Sequence, residues 1–204
     1  MKIYYHRGDL PTGIDFGHSV AVDTEAMGLY IPRDRLALVQ LSAGDGDCHL
    51  VHFPLNTSYE APNLKAILRD KNVEKIFHFA RFDFAIMKYY LNVETYPLFC
   101  TKIASKLSRT YTDKHGLKDL CKQLLSVEIS KTEQTSDWGA DVLTDKQKEY
   151  AAGDVLYLHR LKAILQELLK REAREAVAKA CFEFLPARCE LDIQGWNEVD
   201  IFQH

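Results

Sequence analysis

The run Val20-Ala-Val-Asp-Thr-Glu25 puts two acids at the end of a buried strand, and no other stretch constrains the fold more tightly. Side chains two apart along a strand share a face, so Asp23 and Glu25 present their carboxylates side by side. Far downstream, in Tyr150-Ala-Ala-Gly-Asp154, the tyrosine and the aspartate stand four apart in a strongly helical stretch and share one helix face. Neighbouring carboxylates repel unless a positive charge neutralises them, and hard oxygen ligands of this kind suit Mg²⁺ or Mn²⁺. The two acidic pieces together point to a two-cation phosphodiesterase centre.

Bulk properties narrow the background. With 204 residues, 47% of them hydrophobic, the chain is long enough to bury a full core as one domain. Its 26 Lys+Arg against 29 Asp+Glu create no global basic field for nucleic acid, so any such partner has to be attracted by bound cations and a local basic patch. The five cysteines (Cys48, Cys100, Cys121, Cys181, Cys189) form no C-x-x-C pair and no even framework, as expected of reduced thiols in a cytosolic protein. The N-terminal Met-Lys-Ile-Tyr-Tyr-His-Arg lacks an apolar leader core, and no later run is long enough to span a bilayer. These features predict a cytoplasmic chain without a membrane partner.

The first half reads as β-rich. Ile3–Tyr5, Ser19–Asp23, Leu36–Ser42 and Cys48–Phe53 are short β-branched or aromatic runs separated by Gly, Pro and Asp. Gly44-Asp-Gly-Asp47 is a hairpin signal that makes the third and fourth strands antiparallel neighbours. A helix at Asn63–Arg69, a strand at Lys75–Phe79 and a helix from about Phe82 to Leu91 follow, then helices at Thr101–Leu107 and Leu117–Leu125. One long helix is predicted from about Asp145 to Arg171, opened by the capping-box pair Thr144 and Gln147 and carrying apolar residues at spacings of three and four. Gly153 inside it marks either a close approach by another group or a tolerated defect. The whole reads as a single domain over 1–204, a mixed sheet flanked by helices, with a core at about 19–171 and a C-terminal helix and extended tail at 172–204.

A fifth polar residue joins the set at Ile76-Phe-His-Phe-Ala-Arg-Phe-Asp83, where a buried strand runs into a helix and Asp83 falls in the first helical turn. Alone, an acid there is explained by the helix dipole. In order, however, Asp-x-Glu on a strand, Asp at a strand–helix junction and Tyr-x-x-x-Asp on a late helix resemble the three motifs of the DEDD superfamily of 3′→5′ exonucleases, in its tyrosine-bearing branch. Leu36-Ala-Leu-Val-Gln-Leu-Ser42 is similar to the second strand of the RNase D family, and Asp137-Trp-Gly139 through Leu158 to its third motif and approach. The resemblance runs from about Val20 to Leu161.

It implies an RNase H-like α/β fold in which Asp23, Glu25, Asp83 and Asp154 hold two divalent cations, Mg²⁺ or Mn²⁺. Tyr150 then orients or helps deprotonate the attacking water, and nucleoside 5′-monophosphates leave from a 3′ end. RNase D enzymes carry C-terminal helical RNA-binding domains that the residues after the long helix are too few to form. A short RNase D-like chain is instead similar to the nanoRNase C type. That type cleaves very short single-stranded RNA, including dinucleotides, and assembles as a homo-octamer. A broader exonuclease trimming longer RNA or DNA, and a catalytically silent nucleic-acid-binding module, are the alternatives.

Secondary candidates carry two readings each. Leu29, four residues after Glu25, is either a wedge between two substrate bases or an ordinary core or loop leucine. His78 either reaches substrate and water or is a buried, capping histidine. Arg81 contacts the scissile region or lies solvated. The segment Lys102, Lys106, Arg109, Tyr111, Lys114, His115 and Gly116 gathers cations and an aromatic suited to a phosphate or a stacked base, or forms a solvated loop. Trp138 reads as a buried aromatic anchor. The alternating apolar and acidic residues of Cys189–Phe202 predict an edge strand or an extended segment laid on a surface, on this chain or on a neighbouring subunit.

Overall fold

A computed structural model describes residues 1–129, 133 and 135–203. Among the described residues six strands form one mixed sheet: β1 (Ile3–Arg7), β2 (Ser19–Ala26), β3 (Leu36–Ser42), β4 (Cys48–His52), β5 (Glu74–Phe77) and β6 (Leu98–Cys100), in the order β1-β4-β3-β2-β5-β6. The hairpin joins β3 to β4 antiparallel, β2 is antiparallel to β3, and the remaining neighbours are parallel. Every residue of β3 is buried, as its unbroken apolar run and central place require. The β2–β3 register shifts between Glu25 and Ala26, a bulge that turns the strand at its acidic end.

The helices are α1 (Pro62–Arg69), α2 (Ala80–Leu91), α3 (Thr101–Ser108), α4 (Leu117–Leu125), α5 (Asp145–Val155), α6 (Leu158–Arg171) and α7 (Glu175–Ile193). They flank the sheet, which confirms the expected α/β class. Three elements differ from expectation. The single helix over 145–171 is two helices, broken at Leu156 and Tyr157. Its apolar spacing stays at three and four across the break because both halves bury one face. The break lets α5 lie on β2, β3 and β4 while α6 packs on α3 and α4. The strand after Glu74 ends at Phe77, since Phe79 adopts a left-handed conformation (φ 70°) that caps α2.

The C-terminal segment is the third difference. Cys189–Ile193 is helical, not extended, and lies in α7. The carboxylate of Asp192 is gripped by Arg81 (2.6 and 2.7 Å) and by Arg188 (2.6 and 3.1 Å). The same guanidiniums donate to the carbonyls of Asn197, Trp196 and Val199, so the residues after α7 dock on their own chain as turns. A charged residue in an alternating pattern is polar only until a tertiary partner neutralises it, which is why the alternation misleads here. Among the described residues no protein atom lies within 4 Å of a Cβ placed at Gly153, so close approach by another backbone does not explain it. All five cysteines are free thiols and four are buried. Among the described residues no helix is long and apolar enough to cross a membrane.

Candidate active site

Three elements converge at the acidic end of β2. Asp23 and Glu25 leave the strand on one face, toward α5, which carries Tyr150 and Asp154 one turn apart. One carboxylate oxygen from each of Asp23, Glu25 and Asp154 lies within 4.8 Å of the others. Thr24, on the opposite face of the strand, donates its hydroxyl to Asp83 Oδ1 at 2.6 Å and so ties α2 to β2. Asp83 stands outside the tight trio but lines the same cavity, a cleft of about 700 Å³ that also takes in Tyr150, Leu29 and His78.

The position of α5 is fixed from its start. Thr144 and Gln147 form the capping box the sequence predicts, and Gln147 Nε2 donates to the Asp137 carbonyl at 3.1 Å. Trp138 is fully buried, its ring 6.0 Å from that of Tyr150, and its carbonyl is held by His52 Nε2 at 3.0 Å. Tyr5 closes this chain with a hydrogen bond to His52 Nδ1. The loop before α5 is thereby anchored to β1 and β4, and the tyrosine face of the helix is set against the acids.

Without counter-charge these acids resist ionisation. Burial, then the Asp83, Asp154 and Glu25 carboxylates, push Asp23 well above the usual carboxylate range. Burial and the Asp154 and Asp83 charges push Glu25 up to about 9. Burial pushes Asp83 up to about 7, against the lowering effect of hydrogen bonds from Thr24 and from backbone N–H groups. Burial and the charges of Asp154, Glu25 and Asp23 also raise the Tyr150 phenol, which hydrogen-bonds to Asp154 and stays a proton donor. A set of hard oxygen ligands this close together, and this reluctant to ionise alone, fits divalent cations.

The secondary candidates separate. Leu29 is 85% exposed at the cavity rim, so it is not a core residue. Thr101 gives its hydroxyl proton to the Phe77 carbonyl, so His78 Nδ1 must donate to Thr101 Oγ1 (2.9 Å), with the half-buried ring on the cavity wall. Arg81 points away, to Asp192. From the basic segment, Lys102 and Gly116 reach the cavity, whereas Arg109 is buried and bonds Ser105, Gln123 and the Lys114 carbonyl. Phe79 and Lys118 also line the cavity and escape sequence reasoning. Phe79 carries the Lys102 ammonium 4.2 Å above its ring. Its left-handed backbone, rare for a bulky residue, has no sequence signal.

The family model described as a 3′-5′ exonuclease matches residues 13–170. Ribonuclease D of Gluconacetobacter diazotrophicus is 34% identical over 155 residues, covering 76% of this chain and 39% of its own. The chain thus spans about two fifths of the length of the curated relatives it matches. Among solved structures, Brucella melitensis NrnC is 53% identical over 100% of both chains, with a TM-score of 0.96. The same protein has been solved with bound Mg²⁺ (TM-score 0.94, 52% identity, both chains fully covered) and bound to pGG (TM-score 0.96, 53% identity, 100% and 99% covered). The chain belongs to the 3′-5′ exonuclease family, in its RNase D-like, tyrosine-bearing DEDD branch, and is similar to NrnC over its whole length.

Proposed function

We propose that this chain is a metal-dependent 3′→5′ exoribonuclease of short RNA, dinucleotides included, that releases nucleoside 5′-monophosphates. The observation that carries the reading is the convergence of Asp23, Glu25 and Asp154 within 4.8 Å, with Asp83 in the same cleft. The similarity to a nuclease solved with Mg²⁺ and with pGG supports it. Asp23, Glu25, Asp83 and Asp154 would hold two divalent cations, Mg²⁺ or Mn²⁺, which supply the charge that lowers the pKa of the attacking water and steadies the leaving oxygen.

The remaining roles fall to this chain's own groups. Tyr150, kept protonated by its buried, acidic surroundings, orients the attacking water through its hydroxyl. Leu29 at the rim would wedge between neighbouring bases, and His78, whose half-buried ring lines the same cavity, would contact the substrate. Trp138 holds the wall behind Tyr150. One catalytic domain over 1–204, assembly as a homo-oligomer and a cytoplasmic place belong to the same reading. A length series of labelled single-stranded RNA tests it: dinucleotides are cleaved faster than ten-mers. Equal or slower cleavage of the dinucleotide points to a broader exonuclease trimming longer RNA or DNA, and absence of cleavage at every length to a silent binding module.

A further inference from the structure

Gln40 is a polar residue in the middle of β3, every residue of which is buried. In the antiparallel register it stands directly opposite Asp23, so both side chains lie on one sheet face. Its Nε2 donates to Asp23 Oδ2 at 3.3 Å. On its other side the cross-strand neighbour in β4 is Leu50, which offers no side-chain partner, and Gln40 Oε1 has no hydrogen-bond partner among the described residues. A leucine of similar size would fill this position without burying an amide, and leucines do fill positions 38 and 41 of the same strand. Among the described residues, only the bond to Asp23 offsets the cost of burying this side-chain amide.

We infer that Gln40 is a positioning residue that fixes the carboxylate plane of Asp23 for cation binding. The inference rests on the proposed cation site. The Gln40 amide occupies one side of Oδ2 and so fixes which lone pairs of Asp23 face Glu25 and Asp154. Groups that orient metal ligands in this way typically change metal affinity by about 10–100-fold when removed.

The test is Mn²⁺ binding to the whole protein without substrate, by calorimetry or electron paramagnetic resonance, for the native chain, Gln40→Leu, Gln40→Met and Asp23→Asn. Melting temperatures are taken in chelator. Gln40→Leu and Gln40→Met are expected to weaken Mn²⁺ binding about tenfold or more, with melting in chelator unchanged or raised because the unpartnered Oε1 is gone. The half-activating Mg²⁺ concentration rises in parallel, and kcat at saturating Mg²⁺ recovers most of its native value. Mn²⁺ affinity within twofold of native in both variants overturns the inference, as does a loss matched by a lower melting temperature in chelator. If Asp23→Asn abolishes Mn²⁺ binding while the Gln40 variants do not weaken it, the cation site stands and the role of Gln40 fails. If the native chain binds no Mn²⁺, the cation site itself fails.

Discussion

Substituting Asp83 by Asn is expected to stabilise the cation-free protein at high pH, although the residue belongs to the proposed site. The group's pKa moves from 3.8 to about 7 on folding, chiefly through burial. A raised folded pKa means that between pH 4 and 7 the folded chain keeps a proton the unfolded chain has lost, so stability falls as pH rises. At about 1.4 kcal/mol per pH unit, ionised Asp83 costs on the order of 4 kcal/mol at pH 8 and under about 1 kcal/mol at pH 4. Asn keeps an oxygen to accept the 2.6 Å Thr24 bond. It gives up one acceptor for the backbone N–H groups at Thr24 and Asp83, a loss of about 1 kcal/mol. The net gain at pH 8 is therefore about 3 kcal/mol, or roughly 6–12 °C for a chain of this size. At pH 4 it vanishes or changes sign. Thermal and urea melts in chelator, at pH 4 and pH 8, measure both values. Mg²⁺ should reverse the order at pH 8, because cations bind the native acids more tightly than the depleted set. A variant no more stable than native at pH 8 in chelator, or equally stabilised at both pH values, refutes the reasoning.

Tyr150→Phe removes the hydroxyl beside Asp154 and keeps the ring against Trp138. It should lower kcat about 100-fold with melting within about 2 °C of native, as expected for loss of a hydroxyl that orients the attacking water. Leu29→Ala should raise KM for dinucleotides several-fold with kcat little changed and no loss of stability, since the side chain is 85% exposed; steady-state kinetics on the dinucleotide decide. Asp192→Ala leaves Arg81 and Arg188 without their shared carboxylate and should destabilise by about 2 kcal/mol in urea melts. That figure is less than for a fully buried pair, because Arg81 is partly exposed.

The portion of the site legible in the sequence is the portion written in local periodicity. Asp23 and Glu25 share a face because a strand has period two, and Tyr150 and Asp154 because a helix nearly repeats every four residues. The start of α5 is legible because a capping box is a local hydrogen-bond pair. What sequence does not show depends on groups brought from afar. The break at Leu156–Tyr157 leaves the apolar spacing intact and only redirects it from the sheet to α3 and α4. Arg81 reads equally as a substrate contact or a solvated side chain because its partner, Asp192, lies 111 residues away. Asp192 in turn makes a helical end look like an alternating strand. Gln40 sits inside a stretch that reads plainly as a strand, yet its bearing on Asp23 emerges only with the β2–β3 register.

The acids at the end of β2 and on α5 are held to act through divalent cations on the phosphodiester of short RNA, and one measurement addresses this directly. The protein is incubated with a 5′-phosphorylated dinucleotide in Mg²⁺, and again after chelation. Complete conversion to nucleoside 5′-monophosphates is expected in Mg²⁺ and none in chelator, with activity restored when Mg²⁺ or Mn²⁺ is returned. Hydrolysis that survives chelation, or no hydrolysis in Mg²⁺ or Mn²⁺, contradicts it.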